Sequence, residues 1–369
     1  MRLTEVAGPA LPIIAIAFVL AAVISLLATP LVRRAIRNVG LLDHPDERRT
    51  HRRPLPRGGG LAIVVAFLIV GGGLAILDGA VPGLPPVRDV PVSQLIGLFG
   101  GAVLAAVLGV IDDAYDLRAR WQLAGQVALA VVAVASGITV AKIGNPVAPG
   151  YILFESWMGA AFTVVWIVGM INSLNFIDGL DGLSTGIGFI AAVTLGILSL
   201  TTQVGQPFVA VLCFAFAGAL LGFLRWNFHP AVIFQGTAGV MFLGYALGVL
   251  SILGTAKVIV AMLVLAVPIV DTFWVIVRRL YSGRSPFSPD RGHLHHRLLD
   301  VGLSHRATVL LIYVLCATLG LMSLVVSGLI GLLAFAAAIV GFGIFAFALG
   351  RRAGDGDALD RAAADEARP

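Results

Sequence analysis

The sequence has little charge and almost no cysteine. Only 12% of its residues are Asp, Glu, Lys or Arg, whereas a soluble domain carries about 25%. This shortage excludes a soluble globular protein and, together with 59% hydrophobic residues, indicates an integral membrane protein. The two cysteines, Cys213 and Cys316, both lie in apolar stretches, so neither a structural disulfide nor a thiolate metal site is expected.

Long apolar runs alternate with short polar gaps along most of the chain. A straight membrane-spanning helix needs about 20 apolar residues, and eleven runs approach that length. They lie near 9–32, 59–77, 94–111, 122–141, 157–173, 187–202, 207–224, 239–254, 258–279, 307–326 and 329–349. The sequence therefore predicts an all-α polytopic membrane protein of about eleven transmembrane helices, in one integral membrane domain over 1–350. The tail, 351–369, is expected to be disordered and cytoplasmic.

Arginine is distributed unevenly between alternate gaps. The gap at about 33–57 holds eight arginines. The alternate gaps, from about 78–93 onwards, carry only Arg88, Lys142 and Lys257 as cations. Because Lys and Arg favour the cytoplasmic side, we expect the amino terminus outside, the carboxyl terminus inside, and every polar motif on the cytoplasmic face.

Carboxylates stand at or near the ends of several apolar runs. They are Asp112, Asp113, Asp178, Asp181 and Asp271. A carboxylate near the bilayer centre costs about 2.5–3.5 kcal/mol, so such residues are candidates for function. With the predicted topology, four of the five fall on one face of the membrane. This pattern favours an enzyme that handles a charged, phosphorylated substrate at the membrane surface.

Two of the acidic motifs predict specific chemistry. The neighbours Asp112 and Asp113 would repel each other and need a cation or a proton between them, unless they are solvated residues of a turn. Asn175, Asp178 and Asp181 are spaced three residues apart, so in a helix they would share one face. Oxygen ligands of this kind suit Mg²⁺, although each Asp taken alone could also be a helix cap.

Two basic motifs have both a functional and a simpler interpretation. The first loop contains D-x-P-x-x-R-x-x-H, with Asp43, Arg48 and His51, among arginines that could merely anchor a helix end to anionic lipid. A later loop places histidines among arginines, which suits phosphate recognition better than a zinc site. The candidates in that loop are Arg291, His293, His295 and His296. A solvated basic loop is its alternative.

Taken in order, these motifs resemble the polyprenyl-phosphate N-acetylhexosamine-1-phosphate transferase family. They read D-x-P-x-x-R-x-x-H with P-R-G-G-G, D-D-A-Y-D-L, N-F-I-D-G-L-D-G-L, F-L-R-W-N-F-H-P-A, and P-I-V-D-T followed by S-P-F-S-P-D-R-G-H-L-H-H-R-L. They extend from about Asp43 to His305. The H-L-H-H-R form is similar to the undecaprenyl-phosphate GlcNAc-1-phosphate transferase branch rather than to phospho-MurNAc-pentapeptide translocase.

The resemblance implies a reaction and its participants. A polyprenyl phosphate attacks the sugar-linked phosphorus of a UDP-N-acetylhexosamine, which releases UMP and leaves a polyprenyl-diphospho-sugar for cell-envelope glycan synthesis. The implied cofactor is Mg²⁺, with Mn²⁺ as an alternative. The implied location is the plasma membrane of a bacterium, in contact with membrane lipid. No nucleic-acid partner is expected, and a homodimer is left open.

The resemblance also implies roles for individual residues. Asp112 would activate the lipid phosphate, with Asp113 supporting it electrostatically. Asn175, Asp178 and Asp181 would form the metal and nucleotide region. The histidines His293, His295 and His296 would contact the donor's phosphates. The remaining substrate-binding candidates are Asp43, Arg48, His51, Asn227, Asp271 and Arg291.

One position departs from the family pattern. After N-F-H-P-A-V-I-F the family reads M-G-D-x-G-S with a metal-binding Asp, whereas this chain has Thr237 there and Val240 in place of the Ser. A neutral Thr oxygen is a much weaker ligand for a hard cation. The sequence therefore leaves open a weak enzyme, a paralogue or scaffold that only binds its ligands, or a nearby carboxylate that takes over. A transporter is ranked last, because the spans are clean of polar residues.

Overall fold

The computed structural model describes residues 7–43, 54–145, 150–202, 204–253, 258–283, 285 and 292–325, with isolated residues between 333 and 341. Within these ranges the chain is mostly helical. Two short antiparallel pairs are the only strand ladders there: β1 (Leu42–Asp43) with β2 (Leu55–Pro56), and β3 (Lys142–Gly144) with β4 (Tyr151–Leu153). The predicted all-α class is thus confirmed. The tail and the residues Arg48, His51 and Arg291 lie outside the described residues.

The helices follow the apolar runs of the sequence. In chain order they are α1 (Ala7–Asn38), α2 (Leu61–Phe67), α3 (Gly73–Ile76), α4 (Val92–Tyr115), α5 (Ala119–Ala135), α6 (Ser156–Ile177), α7 (Leu183–Ser199), α8 (Pro207–Asn227), α9 (Gly236–Ile252), α10 (Val258–Val264), α11 (Ala266–Tyr281), α12 (Leu294–Asp300) and α13 (His305–Val325). A π-helical segment, Leu68–Gly72, joins α2 to α3. Helices coincide with the first ten predicted spans, and the eleventh falls largely outside the described residues.

Five of these helices are long and apolar enough to cross a membrane. They are Gly8–Asn38, Val92–Tyr115, Ser156–Ile177, Pro207–Asn227 and His305–Val325. A sixth candidate is the pair α10 and α11, which bend by 77° at Leu265. Pro268 lies in the first turn of α11, where its missing N–H is tolerated but where it prevents a continuous helix. A helical membrane protein is confirmed, while the count of eleven spans and their orientation stay predictions.

The centre of the bundle is built around α8 and α9. α8 packs against α1 and α7, and α9 packs against α4 and α6. Nearly every residue of α9 is buried, which explains why its sequence is apolar on all sides rather than on one stripe. The carboxyl ends of α4, α6 and α8 meet the start of α9, and this junction positions the candidate site.

Candidate active site

A polar cavity of about 280 Å³ opens at this junction. The polar side chains that line it are Asp43, Arg57, Asn175, Asp178, Asp181, Asn227, Gln235, Thr237 and His296. They come from five separate stretches of the sequence, yet they converge on one space. A concave site with several converging polar groups is the usual form of a small-molecule or catalytic site.

The structure brings together only part of the predicted site. Seven predicted positions line the cavity: Asp43, Asn175, Asp178, Asp181, Asn227, Thr237 and His296. Five others do not line it and are buried around it: Asp112, Asp113, Asp271, His293 and His295. Arg57 and Gln235 line the cavity but were not predicted as site residues. Arg57 could have been found, because it stands in the P-R-G-G-G motif.

Backbone hydrogen bonds hold Arg57 in the cavity wall. Phe234 N donates to the Pro56 carbonyl at 2.9 Å, and Gly59 N donates to the Phe234 carbonyl at 2.8 Å. Gly60 N donates to the Gln235 carbonyl at 2.9 Å. The segment after β2 is therefore paired with the segment before α9, and Arg57 and Gln235 become neighbours in one wall.

Glycine allows the helices around this wall to approach closely. A Cβ atom at Gly60 would lie 2.0 Å from Gly239 Cα, and one at Gly109 of α4 would lie 2.2 Å from Ala238 Cα. Gly236 has a φ of +73°, a conformation that L side chains rarely adopt. A larger side chain at any of these three glycines would force the start of α9 away from its neighbours.

Asp113 lies behind the wall and anchors it. Its carboxylate accepts a hydrogen bond from Arg57 Nε at 2.8 Å, from Thr237 N at 2.8 Å and from Ala238 N at 3.1 Å. Arg57 Nη2 also donates to Thr237 Oγ1 at 3.0 Å. Asp113 thus caps the start of α9 and fixes the guanidinium of Arg57 against it.

Asp112 faces a different set of partners. Its Oδ1 atom accepts from Leu117 N at 3.2 Å and from Gln122 Nε2 at 2.8 Å, which ties the end of α4 to α5. Successive residues of an α-helix differ in direction by about 100°, so the two carboxylates point apart. The expectation that they share a cation or a proton is therefore wrong for this conformation.

Asp178, just after the end of α6, is a cavity carboxyl group with a raised pKa. Burial raises its pKa to about 7, while a hydrogen bond from the Ser184 hydroxyl and the charge of Arg57 oppose the shift. Asp113 and Asp181 add to the rise through repulsion. A carboxyl group in this state binds a cation readily, because the positive charge restores its ionised form.

Asp181 is held in a cluster with two histidines. It accepts a hydrogen bond from His229 Nδ1 at 2.7 Å and from Ala231 N at 3.0 Å. His229 stacks on His305, with ring centroids 4.1 Å apart and planes inclined by 18°. The three side chains are close enough to suggest a metal site. A metal ion lies in the plane of each imidazole it binds, however, so two nearly parallel stacked rings do not suit one shared ion.

Among the described residues of the histidine loop, only His296 lines the cavity. Asp271 accepts from His293 Nδ1 and from Leu294 N, both at 2.8 Å, so it caps α12 and fixes the loop. Burial lowers the pKa of His295 well below its ordinary value, with a further contribution from the neighbouring histidines. Its Nε2 atom lies against Gly179, where a Cβ would be 2.3 Å away. His296 alone of the three lines the cavity.

The donor set in the cavity suits a hard divalent cation. Asn175, Asp178 and Asp181 line one cavity, and Mg²⁺ prefers carboxylate and amide oxygens together with substrate phosphates. This set of ligands has less negative charge than the family pattern, because Thr237 supplies a neutral hydroxyl in place of a carboxylate. The hydroxyl oxygen also already accepts a hydrogen bond from Arg57. The cavity could therefore hold Mg²⁺, but with one carboxylate fewer than the sequence pattern leads one to expect.

Comparisons with known proteins find relatives that cover most of the chain. Residues 95–255 match the model of Glycosyl transferase family 4. The chain is 36% identical to a probable undecaprenyl-phosphate N-acetylglucosaminyl 1-phosphate transferase of Bacillus subtilis (strain 168), over 82% of each protein. It is 36% identical to a decaprenyl-phosphate N-acetylglucosaminephosphotransferase of Mycolicibacterium smegmatis, over 83% of this chain and 80% of the relative. An Escherichia coli (strain K12) undecaprenyl-phosphate alpha-N-acetylglucosaminyl 1-phosphate transferase is 27% identical over 78% of this chain and 77% of the relative.

Proposed function

Because the chain belongs to the polyprenyl-phosphate N-acetylglucosaminyl 1-phosphate transferases of Glycosyl transferase family 4, we propose that it transfers N-acetylglucosamine 1-phosphate from UDP-GlcNAc to a polyprenyl phosphate. A phosphate oxygen of the acceptor attacks the sugar-linked phosphorus, and the bond to UMP breaks. The products are polyprenyl-diphospho-GlcNAc and UMP. The likeness over 82% of both proteins is the observation that carries this conclusion.

The cavity has the groups that such a reaction requires. Phosphoryl transfer depends on positioning and on neutralising charge more than on covalent catalysis. A bound Mg²⁺ would supply positive charge to the donor diphosphate, and Asn175, Asp178 and Asp181 would hold it. Arg57 would donate its remaining N–H groups to phosphate oxygens from a fixed position, because Asp113 holds its Nε atom and Thr237 its Nη2 atom. His296 lines the same cavity.

We also propose the finer architecture on the strength of the arginine distribution. Residues 1–350 form one membrane domain of about eleven spans, with the amino terminus outside and the active site on the cytoplasmic face of a bacterial plasma membrane. The shorter apolar helices, such as α5, α7 and α9, then complete the count as tilted or incomplete spans. The gathering of the polar motifs in one cavity supports a single active face.

Cysteine labelling tests this orientation. In a background without Cys213 and Cys316, single cysteines at Ser285 and Tyr115 should react with an impermeant maleimide only after the cells are permeabilised. A cysteine at Pro85 should react in intact cells, because the arginine-poor gaps are expected outside. Labelling of position 285 from outside would contradict both the topology and a cytoplasmic site.

A non-catalytic binder of the same ligands is the second candidate function. One observation favours it: Thr237 stands where the family pattern has a metal-binding Asp, and its hydroxyl oxygen accepts a hydrogen bond from Arg57. A protein that bound polyprenyl phosphate or UDP-GlcNAc without transferring the sugar phosphate would still need the cavity and its cationic side chain, Arg57. Transfer itself therefore has to be measured.

The decisive assay follows radiolabelled sugar phosphate from UDP-GlcNAc to polyprenyl phosphate. The purified protein should form a lipid-linked product with Mg²⁺ and lose that activity with EDTA, because the diphosphate needs its charge neutralised. Parallel reactions with other UDP-sugars define the donor. No product at any Mg²⁺ concentration, from a protein that still binds UDP-GlcNAc, would favour the binder instead.

A further inference from the structure

The Gln235 side chain is buried in the cavity wall, with hydrogen-bond partners at only one end of its amide. The atom at the Oε1 position lies 2.9 Å from Ser184 Oγ and 2.8 Å from Thr185 Oγ1. The atom at the Nε2 position is buried and has no hydrogen-bond partner among the described residues. Buried polar atoms are almost always paired, and this unpaired one belongs to a residue that lines the cavity, so it points to a ligand that binds there.

The single proton of Thr185 decides which end of the amide faces that hydroxyl. Asn227 Nδ2 donates to the Ile233 carbonyl at 3.1 Å, so Asn227 Oδ1 is the atom that faces Thr185, at 2.8 Å. A hydroxyl has one proton to donate, and here Asn227 Oδ1 receives it. The atom of Gln235 beside Thr185 must therefore be a donor, which is the amide nitrogen.

Ser184 leads to the same orientation independently. Its hydroxyl donates to Asp178, so it too can only accept a hydrogen bond from Gln235. The nitrogen and oxygen of a side-chain amide are told apart only by their hydrogen bonds. With the NH₂ group placed toward Ser184 and Thr185, every proton in the network has one acceptor. The carbonyl oxygen then takes the unpaired end.

We propose that this Gln235 carbonyl oxygen is a ligand of the divalent cation and makes up for the carboxylate missing at position 237. Gln235 lines the same cavity as Asp178 and Asp181, and amide oxygens bind hard cations. The Gln235 side chain packs against Gly239, where a Cβ atom would lie only 2.3 Å from Gln235 Cγ. Glycine at position 239 therefore leaves the space that this side chain occupies. The proposal rests on the metal site of the proposed function, but it does not depend on turnover.

Manganese binding without substrates tests the proposal directly. Purified protein is titrated with Mn²⁺, and the free ion is followed by electron paramagnetic resonance. Gln235→Met removes the oxygen and should weaken Mn²⁺ binding about 10-fold or more. Gln235→Glu keeps an oxygen at the cavity end but loses the two hydrogen bonds to Ser184 and Thr185, so it should bind Mn²⁺ more tightly than Gln235→Met. Thr237→Asp, which adds a carboxylate to the same wall, should tighten binding in either background.

The matched control is Gln126→Met. Gln126 is also a buried glutamine, but it pairs with Asn172 between α5 and α6 and does not line the cavity. Its replacement should leave Mn²⁺ binding unchanged, and thermal unfolding curves identify any variant that fails to fold. Unchanged Mn²⁺ binding in folded Gln235→Met would overturn the proposal, and so would weaker binding in Gln235→Glu than in Gln235→Met.

UDP-GlcNAc binding in EDTA distinguishes the two orientations of the Gln235 amide. Product formation distinguishes the metal-ligand proposal from the proposed transfer reaction. If the NH₂ group faced the cavity, Gln235→Met would weaken UDP-GlcNAc binding in EDTA and leave Mn²⁺ binding intact, which also overturns the inference. A protein that binds Mn²⁺ through Gln235 but forms no lipid-linked product would contradict the transfer reaction alone. The two failures are therefore distinguishable in one set of measurements.

Discussion

Replacement of Asp113 by asparagine should both destabilise the protein and abolish transfer. The carboxylate is buried and binds Arg57 and two backbone N–H groups at the start of α9. An amide has one acceptor oxygen for these three donors, and its NH₂ group would face another donor. Removal of one partner from a fully buried ion pair costs about 3–5 kcal/mol. The Arg57 side chain is 30% exposed, so the loss here should be smaller. Arg57 would also lose its anchor, so the cavity wall would lose its fixed cation.

Unfolding curves in detergent and the transfer assay measure the two effects. The control is Asp116→Asn, at the end of the same helix. Asp116 is exposed and has a φ of +48°, which asparagine tolerates as well as aspartate does. This variant should match the wild type in both assays. Wild-type stability for Asp113→Asn would contradict the anchoring role.

Asp112→Asn should have the opposite profile, with a preserved fold and a large loss of turnover. Both hydrogen bonds to Asp112 end on Oδ1, and the amide oxygen of asparagine can accept the same two. The other carboxylate oxygen has no hydrogen-bond partner among the described residues, so it is free to take a proton. If Asp112 activates the lipid phosphate, as the family likeness implies, the loss in kcat should be about 10²–10⁴-fold.

The measurement is kcat and KM for polyprenyl phosphate at saturating Mg²⁺, beside an unfolding curve. A variant with activity within about threefold of the wild type would remove Asp112 from the chemistry, since proton transfer contributes far more. Asp112→Ala serves as the comparison, because it also loses the contacts to Leu117 and Gln122. A loss of activity seen only in the alanine variant would assign Asp112 to holding the turn between α4 and α5.

The sequence predicted the helices well because apolar length is a local property. Ten predicted spans coincide with helices, and the break before α11 follows from Pro268. The sequence could not show which of the shorter spans cross the membrane, because helix tilt and packing against neighbouring helices decide that. It also could not show that Asp112 and Asp113 point apart, because their partners at Gln122 and Thr237 are distant in sequence or on another helix.

The sequence predicted which residues belong to the site but not which of them contact one another. Carboxylates and amides that line the cavity, such as Asp178 and Asn227, were identified from their motifs. Asp271 and His293 were expected to bind substrate, but they pair with each other and set the loop that carries His296. Gln235 was missed because only the departures at Thr237 and Val240 were considered, although Gln235 also replaces the Met of the family's M-G-D-x-G-S. Its importance comes from two hydroxyls of α7 that the fold brings beside it.

The close contacts at Gly60, Gly109 and Gly236 form a backbone frame for the site, and the side chains that line the cavity project from this frame. The frame is backbone against backbone, so even a methyl group would displace it. The side chains at positions 235 and 237 project from that frame without forming it. An engineer could thus exchange these two residues to alter the preferred ion while the surrounding main chain keeps its shape. Selectivity for a metal and the integrity of the bundle would then be adjustable separately.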